Sequence, residues 1–106
     1  MIQVRLFYQE NLLAGYEISG HSTVDADDLD GRLICSAVSS AAIMTANTVT
    51  EIIGDRAEVG LDDGYLRLRC ADPARCQTVL EGFQLHVSAL AHEYPDRIKI
   101  ITEWLS

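Results

Sequence analysis

A histidine and a cysteine near the start of the chain have the side chains needed to attack a carbonyl group. His21 follows Gly20 at the end of an apolar run, and Cys35 stands where a long helix is predicted to begin. A thiol attacks as the thiolate, which a nearby base generates and a helix N-terminus favours through its partial positive charge. We therefore predict that His21 and Cys35 form a catalytic pair. The plainer interpretation is a polar turn histidine and a cysteine that fills the core, as most free cysteines do.

The residues around this pair resemble a known enzyme family. Gly20-His21, a glycine-containing loop and the segment Leu33–Ser39 (Leu-Ile-Cys-Ser-Ala-Val-Ser) are similar to the motifs of the ribosomal-processing cysteine proteases, the Prp family. The resemblance implies that His21 is the general base and Cys35 the nucleophile. Ser39 matches the serine that closes the family motif and follows Cys35 by one helical turn on the same face. It would either position the thiol or simply allow close helix packing.

The same resemblance implies a substrate and an oligomeric state. The substrate is an N-terminal extension on the precursor of a large-subunit ribosomal protein, cut next to an aromatic residue by a homodimeric enzyme. The residues themselves suggest further contacts with this basic precursor, and no cofactor is expected. Backbone N–H groups at the predicted helix start, around Cys35 and Ser36, would stabilise the oxyanion, and the acidic loop from Ser22 to Gly31 would fold over the bound peptide. The predicted substrate-binding residues are Gly20, Ser22, Asp30, Gly31, Ser36 and Ser39.

The sequence departs from the family pattern just before the cysteine. Arg32 occupies the place where the family usually has an acidic residue, and Asp30 is shifted outward. Asp28 or Asp30 is the remaining candidate for orienting His21. The substitution also keeps open a rival function, in which a non-catalytic module binds a basic ribosomal partner through its acidic loop.

Composition limits the classes of partner. The chain has 106 residues, enough for one domain, and a net charge of −8, which disfavours binding to nucleic acid phosphates and suits a basic protein. No apolar run approaches the ~18 residues of a membrane span, and the N-terminus lacks the features of a signal peptide. We therefore expect a cytoplasmic protein that binds no membrane. Cys70 and Cys76 are expected to fill the core, with no metal site.

Alternating and helical patterns predict the elements that hold the pair. The expected elements are strands 2–8 and 12–19, a helix 32–53 ended by Gly54, strands 56–61 and 65–70 joined by Asp62-Asp63-Gly64, a helix from Asp72-Pro73 to Tyr94, and a strand 97–105. This ββαββαβ order predicts an α+β fold: a two-layer sandwich whose mixed or antiparallel sheet carries both helices on one face.

Overall fold

The computed structural model contains two helices packed on a five-stranded sheet and describes residues 1–21, 25 and 27–105. The strands are β1 (Ile2–Gln9), β2 (Leu12–Ser19), β3 (Glu58–Asp62), β4 (Tyr65–Arg69) and β5 (Ile98–Leu105), and the helices are α1 (Leu29–Asn47) and α2 (Pro73–Glu93). The predicted ββαββαβ order and α+β class are confirmed.

The sheet is mixed, with the strand order β3-β4-β2-β1-β5. β1 and β5 run parallel, whereas each of the other neighbouring pairs is antiparallel. Alternate residues of β1, such as Val4 and Leu6, belong to a single buried core together with Val38 of α1 and Phe83 of α2. The core therefore lies between the sheet and the two helices, as expected for a two-layer sandwich.

The first helix begins at Leu29 rather than at the predicted Arg32. Asp28 is its N-cap, and the Asp28 Oδ1 atom accepts a hydrogen bond from the Gly31 backbone N–H at 3.1 Å. The same carboxylate forms a salt bridge with Arg97 of 2.6 Å. The cap satisfies a backbone donor that would otherwise be free, so the helix starts before Gly31 instead of after it.

The end of this helix matches the prediction. A π-helical turn, Thr48–Ile53, continues α1 and stops at Gly54, which has a left-handed backbone with φ of 77°. By length and composition alone, the combined helix Leu29–Ile53 is apolar enough to cross a membrane. Its buried side chains, however, belong to the core shared with the sheet. Packing of this kind is typical of the core helix of an α+β domain.

Tyr16 links the sheet to α1 and gives a prediction for stability. Its ring is buried and stacks on Phe83 with 4.2 Å between ring centroids, and its hydroxyl donates to the Ala42 carbonyl at 2.6 Å. We expect Tyr16→Phe to lower the free energy of unfolding by ~1–2 kcal/mol, because one buried hydrogen bond is lost. Denaturant titration measures this change. Tyr65→Phe removes a hydrogen bond that the Tyr65 hydroxyl donates to the Glu17 carboxylate at 3.1 Å, and it should lower stability less because that bond is only partly buried.

The free energy of unfolding that Tyr16→Phe loses should also depend on pH. Burial is the main cause that raises the pKa of Tyr16 above its ordinary value of 10.0. Above pH 10 the unfolded chain loses this proton while the folded chain keeps it, so ionisation favours unfolding. The stability advantage of wild type over Tyr16→Phe should therefore shrink as the pH rises beyond 10. A difference that stays constant or grows would contradict the proposed burial of the neutral phenol.

Candidate active site

An open cleft of about 260 Å³ lies between α1 and the hairpin of β3 and β4. Its floor is apolar and comes from three strands, through Ile2, Ile18 and Leu66. His21 and Cys35 both line this cleft, one from the end of β2 and the other from α1. The fold thus brings the two residues of the predicted pair to one concave site that opens to solvent.

The end of β2 fixes the backbone that carries His21. Gly20 has φ of 84°, and a Cβ atom at this position would lie 2.5 Å from the Met1 carbonyl oxygen. The turn therefore needs glycine, as the sequence indicated. The Gly20 N–H donates to the Gly64 carbonyl at 3.2 Å, which joins this turn to the one between β3 and β4. The imidazole of His21 itself is exposed.

Cys35 lies in the second turn of α1 and is half-buried, between the fully buried side chains of Ile34 and Val38. This position corrects the expectation that the cysteine stands at the helix start. N–H groups in the second turn donate to carbonyls four residues earlier, so those of Cys35 and Ser36 are not free for an oxyanion. The electrostatic effect of a helix N-terminus also fades beyond the first turn.

The other predicted contact residues fall in three places. Gly20 and Ser39 line the cleft together with His21 and Cys35. Ser36 lines a neighbouring open groove along α1, which shares Ser39 with the cleft. Asp30 and Gly31, predicted in the loop, belong to the first turn of α1 and are not among the described residues that line the cleft. Ser22 lies outside the described residues, as do positions 23, 24 and 26 of the loop predicted to cover the peptide.

The wall opposite α1 was not anticipated as part of the site. It is the turn between β3 and β4, where Asp62, Asp63 and Gly64 line the cleft beside His21. The sequence indicated this turn clearly but not its neighbours. Pairing of β4 with β2, in which Ser19 lies opposite Tyr65, brings the turn to the histidine. The two carboxylates make this rim acidic, which favours a basic peptide.

A second cluster of potential ligands lies in the core, away from the cleft. Side-chain ligand atoms of Asp55, Cys70 and Cys76 lie within 4.8 Å of one another, and all three residues are buried. The Asp55 carboxylate, however, accepts the backbone N–H groups of Ala71 and Asp72 at 2.7 and 2.9 Å. Asp72 is at the N-cap position of α2, but its own side chain makes no capping bond among the described contacts. Asp55 thus satisfies donors at the start of α2.

The two cysteines of this cluster differ from Cys35 in their surroundings. Burial is the main cause that raises the pKa of the Cys70 thiol, and the neighbouring Cys76 acts in the same direction. Burial also raises the pKa of Cys76. These thiols remain protonated near neutral pH, a state that does not suit nucleophilic attack. Among the described residues the cluster offers three ligands, fewer than the four that structural zinc sites use.

Comparison with known protein families identifies the chain. The family model described as Cysteine protease Prp matches residues 1–99. The chain belongs to the Prp family of cysteine proteases. As a Prp family member it is an enzyme that hydrolyses peptide bonds, and Cys35 is the one of its three cysteines that lines the cleft. A comparison with curated proteins gave no significant match.

Solved structures share the same fold. The ribosomal processing protease Prp of Staphylococcus aureus, in complex with a covalently linked product peptide, superposes with a TM-score of 0.85 at 18% identity, covering 97% of this chain and 100% of that one. A Streptococcus mutans protein gives 0.85 at 20% identity, covering 99% of both chains. The S. aureus protease with a substrate peptide gives 0.84 at 18% identity, again covering 97% and 100%. At these identities the likeness establishes the fold.

Proposed function

We propose that this Prp family protease removes the N-terminal extension from the precursor of a large-subunit ribosomal protein, using Cys35 as nucleophile and His21 as general base. The observation that carries the proposal is that both side chains line one solvent-open cleft in a chain of this family. The S. aureus relative, described as a ribosomal processing protease with a covalently linked product peptide, supports the substrate class.

The chemistry follows from the two side chains. His21 accepts the proton of the Cys35 thiol, and the sulfur attacks the scissile carbonyl carbon. The C–N bond breaks as the histidine returns its proton to the leaving amine, which leaves the N-terminal fragment attached to Cys35 as a thioester. Water, deprotonated by His21, then hydrolyses the thioester and regenerates the thiol. The reaction therefore needs only the two side chains, the peptide and one water molecule.

The shape and charge of the cleft support such a substrate. Its apolar floor of Ile2, Ile18 and Leu66 suits an aromatic or aliphatic side chain next to the cut bond. The rim carboxylates of Asp62 and Asp63 would attract basic residues, and the net charge of −8 would steer a basic precursor toward the protein. The ribosomal proteins to be processed are made in the cytoplasm, which is the proposed location of the enzyme.

Incubation with the purified precursor tests this function. We expect one cut that releases the extension, seen by intact-mass spectrometry, and no cut in the mature protein that lacks the extension. Replacing the aromatic residue at the cut with aspartate should slow cleavage at least tenfold, because the floor of the cleft is apolar. The rival binding module predicts a precursor that is bound but stays intact, and that result would overturn the proposal.

We further propose that the enzyme is a homodimer. Several large apolar side chains on α1 and its π-helical extension are exposed, among them Leu33, Met44 and Ile52. A second copy of the chain would cover them, and covering apolar surface stabilises association. Sedimentation equilibrium should therefore give twice the chain mass of 11.7 kDa. Met44→Glu should shift the mass to that of one chain, whereas a wild-type monomer would contradict the proposal.

A further inference from the structure

The turn between β3 and β4 packs against His21 of the proposed catalytic pair. An ideal Cβ atom built on Gly64 would lie 2.7 Å from His21 Nε2 and 3.1 Å from His21 Cε1. Carbon and nitrogen atoms that are not bonded do not approach so closely. The imidazole therefore occupies the space into which any other residue at position 64 would project its side chain.

The backbone reinforces this contact. The Gly20 N–H donates to the carbonyl of Gly64 itself, so the residue before His21 is bonded to the residue on which the imidazole rests. Just beyond, Ser19 pairs with Tyr65 in the β2–β4 ladder. His21 is exposed, and Gly64 borders its ring on one side. The imidazole of His21 and the backbone N–H of the preceding Gly20 thus both lie against Gly64.

We propose that Gly64 is a positioning residue, which sets the orientation of the His21 imidazole in the cleft by leaving room for it against the turn. The inference rests on the proposed function, since it assigns Gly64 a role in placing the general base. A base must lie within hydrogen-bond reach of the proton it takes, and displacement of its ring by about 1 Å is enough to lower the rate. Adding one methyl group at position 64 should displace the ring.

The chain offers a matched control for this substitution. Gly54, at the end of the π-helical turn, has φ of +77° compared with +66° at Gly64, but a Cβ atom there would meet nothing within 4 Å. Gly54→Ala and Gly64→Ala therefore both place alanine at a left-handed φ, and only the second meets His21. Gly64→Asn is a second test variant, because asparagine tolerates this backbone better than alanine and still carries the obstructing Cβ.

The experiment compares these variants in two ways. With the precursor as substrate, we expect Gly64→Ala and Gly64→Asn to lower kcat at least tenfold with KM within about threefold, and Gly54→Ala to stay within twofold of wild type in both. In the NMR spectrum, the His21 ring C–H resonance, assigned with His21→Gln, should move in both Gly64 variants and stay in place in Gly54→Ala. The melting temperatures of Gly54→Ala and Gly64→Ala should fall by similar amounts.

The two readouts separate this inference from the proposed function. Wild type that fails to cut the precursor would overturn the function, while the NMR shift would still report whether Gly64 sets the ring position. Active wild type with Gly64 variants that match Gly54→Ala in kcat and in the His21 resonance would overturn the positioning role. If Gly64→Ala does not fold, the same comparison between Gly64→Asn and Gly54→Ala decides the question.

Discussion

Cys35→Ala should abolish cleavage of the precursor, lowering kcat/KM by at least about 10⁴-fold, because no other group in the cleft can form the thioester. The fold should persist. Cys35 is only half-buried, and alanine has the highest helix propensity, so the second turn of α1 loses little. Rates measured by mass spectrometry and melting curves measured by circular dichroism together separate lost chemistry from lost structure.

Binding provides the second half of this test. Cys35→Ala should bind the uncut precursor with an affinity within a fewfold of wild type, since the apolar floor and acidic rim of the cleft are unchanged. Cys70→Ala is the matched control, because it removes a buried thiol outside the cleft. It should have the wild-type kcat at temperatures below its own melting temperature. Residual cleavage by Cys35→Ala at more than a few per cent of the wild-type rate would exclude Cys35 as the nucleophile.

His21→Gln is expected to have the next largest effect, a fall in kcat of about 10²–10⁴-fold with KM changed little. Glutamine keeps a polar side chain of similar size at the end of β2 but cannot accept the thiol proton. Initial rates over a series of precursor concentrations measure kcat and KM separately.

A second histidine supplies the control. His86 is exposed on α2 and does not line the cleft, so His86→Gln should keep the wild-type kcat and KM. If His21→Gln also kept the wild-type kcat, another base would have to serve Cys35. Asp62 and Asp63 would then be the groups to examine, because they line the same cleft.

Local patterns were sufficient to predict the elements of this fold. Three local signals were reliable because each satisfies a backbone requirement within a few residues. They are the turn Asp62-Asp63-Gly64, Gly54 at a helix end and Pro73 at a helix start. The start of α1 was misplaced because Asp28 is one of several neighbouring aspartates. The neighbouring residues do not reveal which aspartate caps the helix. The salt bridge between Asp28 and Arg97, which is distant in sequence, stabilises Asp28 in that position.

The candidate site was only half predictable for a related reason. His21 and Cys35 were found from their residue types and the family resemblance, and the structure places both in one cleft. The role of the β3–β4 turn was missed because it depends on β4 pairing with β2, a contact between residues far apart in sequence. The expectation of oxyanion donors near Cys35 depended on a helix start at Arg32, and the helix starts at Leu29, about one turn earlier.

Mapping the adduct of a peptidyl chloromethyl ketone, built on the extension sequence up to the cut, tests the central claim most directly. The account predicts one addition per chain, on Cys35, which excess precursor suppresses and His21→Gln slows strongly. Cys70 and Cys76 should stay unmodified near neutral pH, because burial raises the pKa of both thiols. An adduct on Cys70 or Cys76 with Cys35 untouched would contradict the account.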